Sequence, residues 1–124
     1  MKNPSYWLIR RHFMSRSEFR WNKKRKHYAY LFKDVNHKCK NILISSSPIM
    51  VEKQNKKKVR VTNNIPLFRH PNKNKYGQYY LIPRVYLDGI ECFDDKKYST
   101  WSFDKNDKRK IKRMKKSRLR HQLR

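Results

Sequence analysis

The stretch that decides the fold runs from His27 to Ser45, HYAYLFKDVNHKCKNILIS. Tyr28, Tyr30 and Phe32 alternate with Ala29 and Leu31, the two-residue period of a strand with two distinct faces. Asp34-Val35-Asn36-His37 reads as a turn, because Asp and Asn bond their own backbone and tolerate positive φ. Cys39–Ser45 then reads as a second strand, so the segment predicts a β-hairpin.

Its neighbours extend the same class. Ile49–Glu52 and Lys58–Thr62 predict another hairpin around Gln54-Asn55-Lys56. Residues 63–78 carry Asn63, Asn64, Pro66, Pro71, Asn72, Asn74 and Gly77 and are expected to be loop. Tyr79–Leu87, YYLIPRVYL, is strongly β, and Pro83, which has no N–H for a ladder, marks a bulge or an edge. Asp88-Gly89 reads as a turn, after which Ile90–Phe93 pairs back or continues the sheet.

Helix is scarce, since the chain holds one alanine. Ser15-Arg16-Ser17-Glu18 fits a capping box and predicts a short helix from Arg16 to about Lys24. A second helix is expected from about Asp104, which can cap and whose charge suits the N-terminal dipole. Ile111 and Met114 would dock it onto the sheet. Arg118 takes the next apolar position, so the stripe stops at Met114. The sequence thus predicts one mostly-β domain over residues 1–114, with a short N-terminal helix, a basic C-terminal helix and a basic tail over 115–124.

The chain of 124 residues carries 34 Lys+Arg against 9 Asp+Glu, a net charge of +25. Only 36% of residues are hydrophobic, which excludes a large core. The longest aliphatic run, Ile42-Leu43-Ile44, is far too short for a transmembrane helix or a secretory core, and Met1-Lys2-Asn3-Pro4 does not open a cleavable signal. A cytoplasmic location and no membrane partner are therefore expected. Cys39 and Cys92 cannot form a disulfide framework and read as buried thiols. No zinc spacing occurs, and two glycines, Gly77 and Gly89, rule out a phosphate-cradling glycine loop, so no metal or cofactor is expected.

So much unbalanced cation points to a polyanion, and nucleic acid fits better than a membrane because no broad apolar helix face is apparent. Arg20, Trp21, Lys23 and Lys24 form one candidate binding cluster, with Trp21 able to stack on a base. The loop Arg69, His70, Lys73, Lys75 and Tyr76 is a second. Lys108, Lys112, Lys115 and Lys116 of the C-terminal segment are a third. Rings interleaved with cations suit unstacked single-stranded RNA, although most rings must be core because aliphatic residues are few.

Chemistry could sit where Arg25-Lys26-His27 opens one strand and Ser45-Ser46-Ser47-Pro48 closes the next. A cation beside hydroxyls suits RNA cleavage without a metal: the 2′-OH attacks the adjacent phosphate while the protein supplies proton transfer and positive charge. Lys26, Arg25, Ser46 and Ser47 are the candidates. A solvated basic face beside a serine loop is the plainer alternative.

From His27 to Met114 the order of elements resembles the MazF/PemK-like small-barrel toxins, especially the ToxN-like branch. The resemblance rests on Lys26-His27-Tyr28-Ala29-Tyr30-Leu31, Ile42-Leu43-Ile44-Ser45-Ser46-Ser47-Pro48, Ile90-Glu91-Cys92-Phe93-Asp94 and the Asp104–Met114 helix. It implies an SH3-like barrel and a metal-independent endoribonuclease restrained by an antitoxin, an acidic protein or an RNA. The cationic position falls on Arg25 or Lys26 and the hydroxyl on Ser46 or Ser47. Lys26-His27 stands where the family has Arg-Pro, Ser replaces Thr, and only Tyr6-Trp7-Leu8-Ile9 stands near the family's N-terminal Gly-Asp-Ile/Val-Trp. The expected function is RNA binding with toxin-like RNA cleavage. The alternatives are a non-enzymatic nucleic-acid-binding protein, ribosome- or mobile-element-associated, and a polycationic inhibitor or adaptor of another protein.

Overall fold

The computed structural model describes residues 17–56 and 58–117. The Ser15-Arg16 start of the predicted first helix, Tyr6–Ile9 and the tail from Arg118 lie outside the described residues. Eight strands appear in chain order: β1 Glu18–Asn22, β2 His27–Val35, β3 Lys38–Ser45, β4 Ile49–Asn55, β5 Lys58–Asn63, β6 Ile65–Pro66, β7 Tyr80–Leu81 and β8 Tyr86–Gly89. A 3-10 turn at Ile90–Cys92 and one α-helix, α1, at Lys105–Ser117 complete the described elements.

The predicted hairpin is β2–β3, paired from Tyr28↔Ile44 to Val35↔Lys38. Asn36 and His37 turn it with φ of 48° and 64°, the left-handed pair that matches strand twist in a two-residue hairpin. The antiparallel main sheet runs β1-β2-β3-β7-β6, with β8 also on β3, while β4 and β5 form a separate two-stranded sheet. β7 and β8 share one edge of β3, at Ile44↔Leu81 and Asn41↔Tyr86 respectively. Between them the chain leaves the ladder at Ile82–Val85, around Pro83. The predicted Tyr79–Leu87 strand is therefore one strand interrupted where the proline cannot donate.

The segment predicted as a first helix is strand β1 from Glu18 to Asn22. Phe19 and Trp21 face one side, where their rings meet Tyr30 and Tyr28 at 5.1 and 4.8 Å. Glu18, Arg20 and Asn22 are buried on the other. A helix would rotate Phe19 and Trp21 apart, and burying two such rings outweighs a capping signal worth about 1 kcal/mol.

The sheet has a core on each face. One contains Ala29, Leu31, Cys39, Leu43, Ile82 and Phe93. The other contains Phe19, Ile42, Ile44, Leu81, Phe103, Ile111 and Met114, the last two supplied by α1. After the 3-10 turn the chain passes back along β1, with a bridge at Asn22↔Phe93 and N–H donation from Asp94 to Trp21 O at 3.0 Å and from Tyr98 to Phe19 O at 3.0 Å. The sheet curls without closing into a continuous barrel.

Asp104 caps α1 by accepting the Asn106 N–H at 2.9 Å. The helix continues past Met114 because Lys115 lays its stem over the Tyr30 and Phe32 rings, with Nζ 5.2 and 5.3 Å from their centroids. The boundary expected at residue 114 thus falls inside the helix. No described helix is long and apolar enough to cross a membrane.

Candidate nucleic-acid interface

The β1–β2 connection, Lys23-Lys24-Arg25-Lys26, presents cations at one end of the sheet. It is tight: Lys26 N–H donates to Asn22 O at 2.8 Å, and Lys26 sits at φ 60°. Lys23, Lys24 and Lys26 are exposed, whereas Arg25 folds inward. Its Nε and one terminal nitrogen donate to the two oxygens of Asp88, each at 2.8 Å, and its guanidinium lies 3.9 Å from the centre of the Tyr86 ring. The expected turn residue Asp88 is instead a fully buried carboxylate. Asn22 and Asn41 also donate to it, at 3.0 and 3.1 Å, and Asn22 accepts the Arg25 backbone N–H at 3.0 Å. Burial alone would push the Asp88 carboxyl up, but the bonds from Arg25, Asn41 and Asn22 with the Arg25 charge outweigh it and hold it below the usual aspartate range. The network fixes the loop that carries the three outward lysines.

The predicted catalytic residues meet only in part. Pairing of Tyr28 with Ile44 sets the His27 end of β2 beside the Ser45 end of β3, with Lys26 and Ser46 each one residue beyond its strand. Lys26 and Ser46 are both exposed there. Ser47 is committed to its own turn, its hydroxyl donating to Ile49 O at 2.8 Å and accepting the Ile49 N–H at 3.3 Å. Arg25 is committed to Asp88 and acts as an anchor.

The other binding candidates divide by burial. Arg20 is buried and bonds Glu18 and the backbone oxygens of Asp94 and Asp95, so it holds the 94–95 segment against β1 instead of facing solvent. Trp21 is half-buried against Tyr28. His70 is only 3% exposed, packed edge-on against Tyr79 and Trp101 at 4.5 and 5.1 Å. Burial, helped by the charge of Lys75, lowers its pKa to about 4, and its Nδ1 accepts the Asn72 N–H at 2.9 Å. It shapes the loop as a neutral ring. Arg69, Lys73, Lys75 and Tyr76 are exposed on that loop, Tyr76 at 88%. Gly77 at φ 107° completes the bend, a conformation that side chains disfavour.

Lys108, Lys112 and Lys115 follow one stripe of α1; the first two are exposed and Lys115 is half-buried, while Lys116 points to solvent. The same helix pins the 68–76 loop. Asp107 is fully buried and accepts the N–H groups of Phe68 at 2.8 Å and Arg69 at 3.2 Å, with Lys110 Nζ at 3.1 Å. In the sequence Asp107 stands out as the single acid among the eleven cations from Lys105 to Arg124. Among the described residues no group of three or more His, Cys, Asp or Glu could hold a metal ion. No family model, curated protein or solved structure matches the chain.

Proposed function

We propose that this protein binds single-stranded RNA. The observation that carries the reading is the direction in which its charges face. Glu18, Asp88 and Asp107 are buried in structural bonds, and Glu52 pairs with Arg84, whereas Lys23, Lys24, Lys26, Arg69, Lys73, Lys75, Lys108 and Lys112 are exposed. Asp34, Glu91 and Asp95 are exposed as well, so what supports the reading is the excess of outward cations over outward carboxylates that phosphates meet at the loop tips and α1. If about seven phosphates are neutralised, log K falls with log salt at a slope near −5. Fluorescence anisotropy with labelled oligonucleotides measures this. No binding at modest salt, or a tighter affinity for an acidic protein that excludes RNA, removes the proposal in favour of the adaptor reading.

A second reading, a metal-independent endoribonuclease with an antitoxin partner, is favoured by the strand register that brings together the ends of β2 and β3 from which Lys26 and Ser46 extend. In this reading the curled sheet is a version of the SH3-like barrel, and the bridge from Phe93 back to β1 supports that comparison. The test is cleavage of single-stranded RNA in excess chelator, leaving a 2′,3′-cyclic phosphate. Lys26→Ala or Ser46→Ala should stop cutting while binding persists. RNA intact after long incubation leaves the binding protein alone standing.

A further inference from the structure

A cleft of about 460 Å³ opens on the outer side of the main sheet, between β1, β2, residues 101–103 and α1. That volume falls in the range of small-ligand sites. Its deepest residues, Phe19, Phe103 and Ile111, are buried, and Tyr30 and Trp101 line it half-buried. Trp101 is held rigidly: Tyr98 stacks on it at 4.3 Å, and Tyr28 and His70 meet it edge-on at 5.1 Å each. Lys108, Lys112 and Lys115, the last donating from Nζ to Tyr30 Oη at 3.3 Å, complete the lining, in which no carboxylate takes part among the described residues.

This pairing of surfaces selects its occupant. An apolar side chain would satisfy the rings and bring no counter-charge to Lys108 and Lys112. A bare phosphate would satisfy the lysines and leave the aromatic floor wet. A nucleotide does both, because every base has a flat apolar face and carries phosphate a short reach away. We infer that the cleft receives one unstacked base of single-stranded RNA, with its flanking phosphates on Lys108 and Lys112. The inference rests on the RNA-binding reading and gives that reading its point of base contact. Contact through ring faces implies tolerance of base identity.

The test compares oligoadenylate hexamer with an abasic ribose-phosphate hexamer of equal charge. The full chain should prefer the hexamer with bases by roughly tenfold, the lower part of the range for losing one stacked base. Ser102 lines the cleft and is exposed, and its backbone N–H, donated to Pro71 O at 3.2 Å, survives substitution. Ser102→Leu, which fills the mouth with a side chain that offers no ring to stack on, should therefore abolish the preference, leaving abasic affinity and the salt slope unchanged. Should that variant not fold, Ser17→Leu, at another lining position, serves the same purpose. Lys108→Gln with Lys112→Gln should weaken both hexamers and make the salt slope shallower by about 1.4. Either of two results overturns the cleft while sparing RNA binding: the wild type binds both hexamers equally, or the blocked variant keeps its preference. A blocked variant that melts at lower temperature yet keeps full preference would assign the cleft to a segment of this chain. Failure of the wild type to bind either hexamer defeats the RNA reading itself.

Discussion

Removing the Arg25 side chain should cost more stability than neutralising the carboxylate it binds. Arg25→Ala deletes two charge-assisted bonds to Asp88 and the stacking on Tyr86, leaving a charge with no exposure to water. Breaking a buried pair from one side costs roughly 3–5 kcal/mol. Asn22 and Asn41 still donate to Asp88, and Lys24 Nζ stands 3.7 Å away, so the lower end, about 3 kcal/mol, is expected. Asp88→Asn leaves behind an arginine whose side chain is 27% exposed and can turn to water, so its cost should be roughly 1–2 kcal/mol. Urea unfolding at pH 7 reads both. With m near 1.5 kcal/mol per molar, the Arg25→Ala midpoint falls by about 2 M. The pH dependence adds a check of sign. In the wild type the carboxyl lies below its ordinary value, so its contribution is full above the unfolded pKa and lost as pH falls through the folded one. Without Arg25 the burial is less compensated and the carboxyl moves up, so protonation relieves the stranded charge. The deficit of Arg25→Ala should then shrink between pH 7 and pH 4. An Asp88→Asn loss larger than the Arg25→Ala loss, or a deficit constant with pH, would refute this account of the network.

Four further outcomes follow from the same structure. Asp107→Ala should cost roughly 2–3 kcal/mol and speed hydrogen exchange at the Phe68 and Arg69 amides, whose acceptor it removes; unchanged exchange there would show that α1 does not pin the loop. His70, lowered to about 4, should keep a constant imidazole chemical shift from pH 8 to pH 5, and the stability its neutral form contributes should be present above pH 6.5 and decline as pH falls towards 4. A shift midpoint near 6.5 would place the ring in water. Asp104→Ala should lower the melting temperature through loss of the helix cap, read by thermal melting of the circular dichroism signal. Changing Lys23, Lys24 and Lys26 together to Gln should make the RNA salt slope shallower by about 2, because those side chains are exposed and not needed for packing; an unchanged slope would move the RNA path away from the β1–β2 loop.

What the sequence revealed was what neighbours in the chain decide. The β2–β3 hairpin needs only a two-residue period and a turn whose Asn36 tolerates positive φ, both written within His27–Ser45. Asp104 likewise caps a helix through an amide two residues away. Where the reading failed, the deciding partner was distant. The capping pattern at Ser15–Glu18 is a local signal, but Phe19 and Trp21 are claimed by Tyr30 and Tyr28 across the sheet. Asp88-Gly89 looks like a turn until Asn22 and Asn41 arrive from other strands and Arg25 from the β1–β2 loop. His70 reads as an RNA-contacting residue of a loop until Tyr79 and Trp101 close over it.

These failures share a physical cause that bears on function. A chain with so few aliphatic residues must draw its packing from rings, and Phe19, Tyr28, Tyr30, Tyr98, Trp101 and Phe103 form one contiguous aromatic layer between the sheet and the segment leading into α1. It must also hold its loops with buried carboxylates, since its apolar surface is too small to do so alone. Each acid spent inside on Arg20, Arg25 or a backbone amide is an acid absent from the surface. The scarcity that makes the core aromatic therefore also takes Glu18, Asp88 and Asp107 out of the exterior, and it leaves rings at the margin of that core beside the lysines of α1. A cationic, ring-lined face is thus a consequence of how this sequence folds, and an RNA strand, which offers phosphate and base together, is the polymer that fits both parts of it.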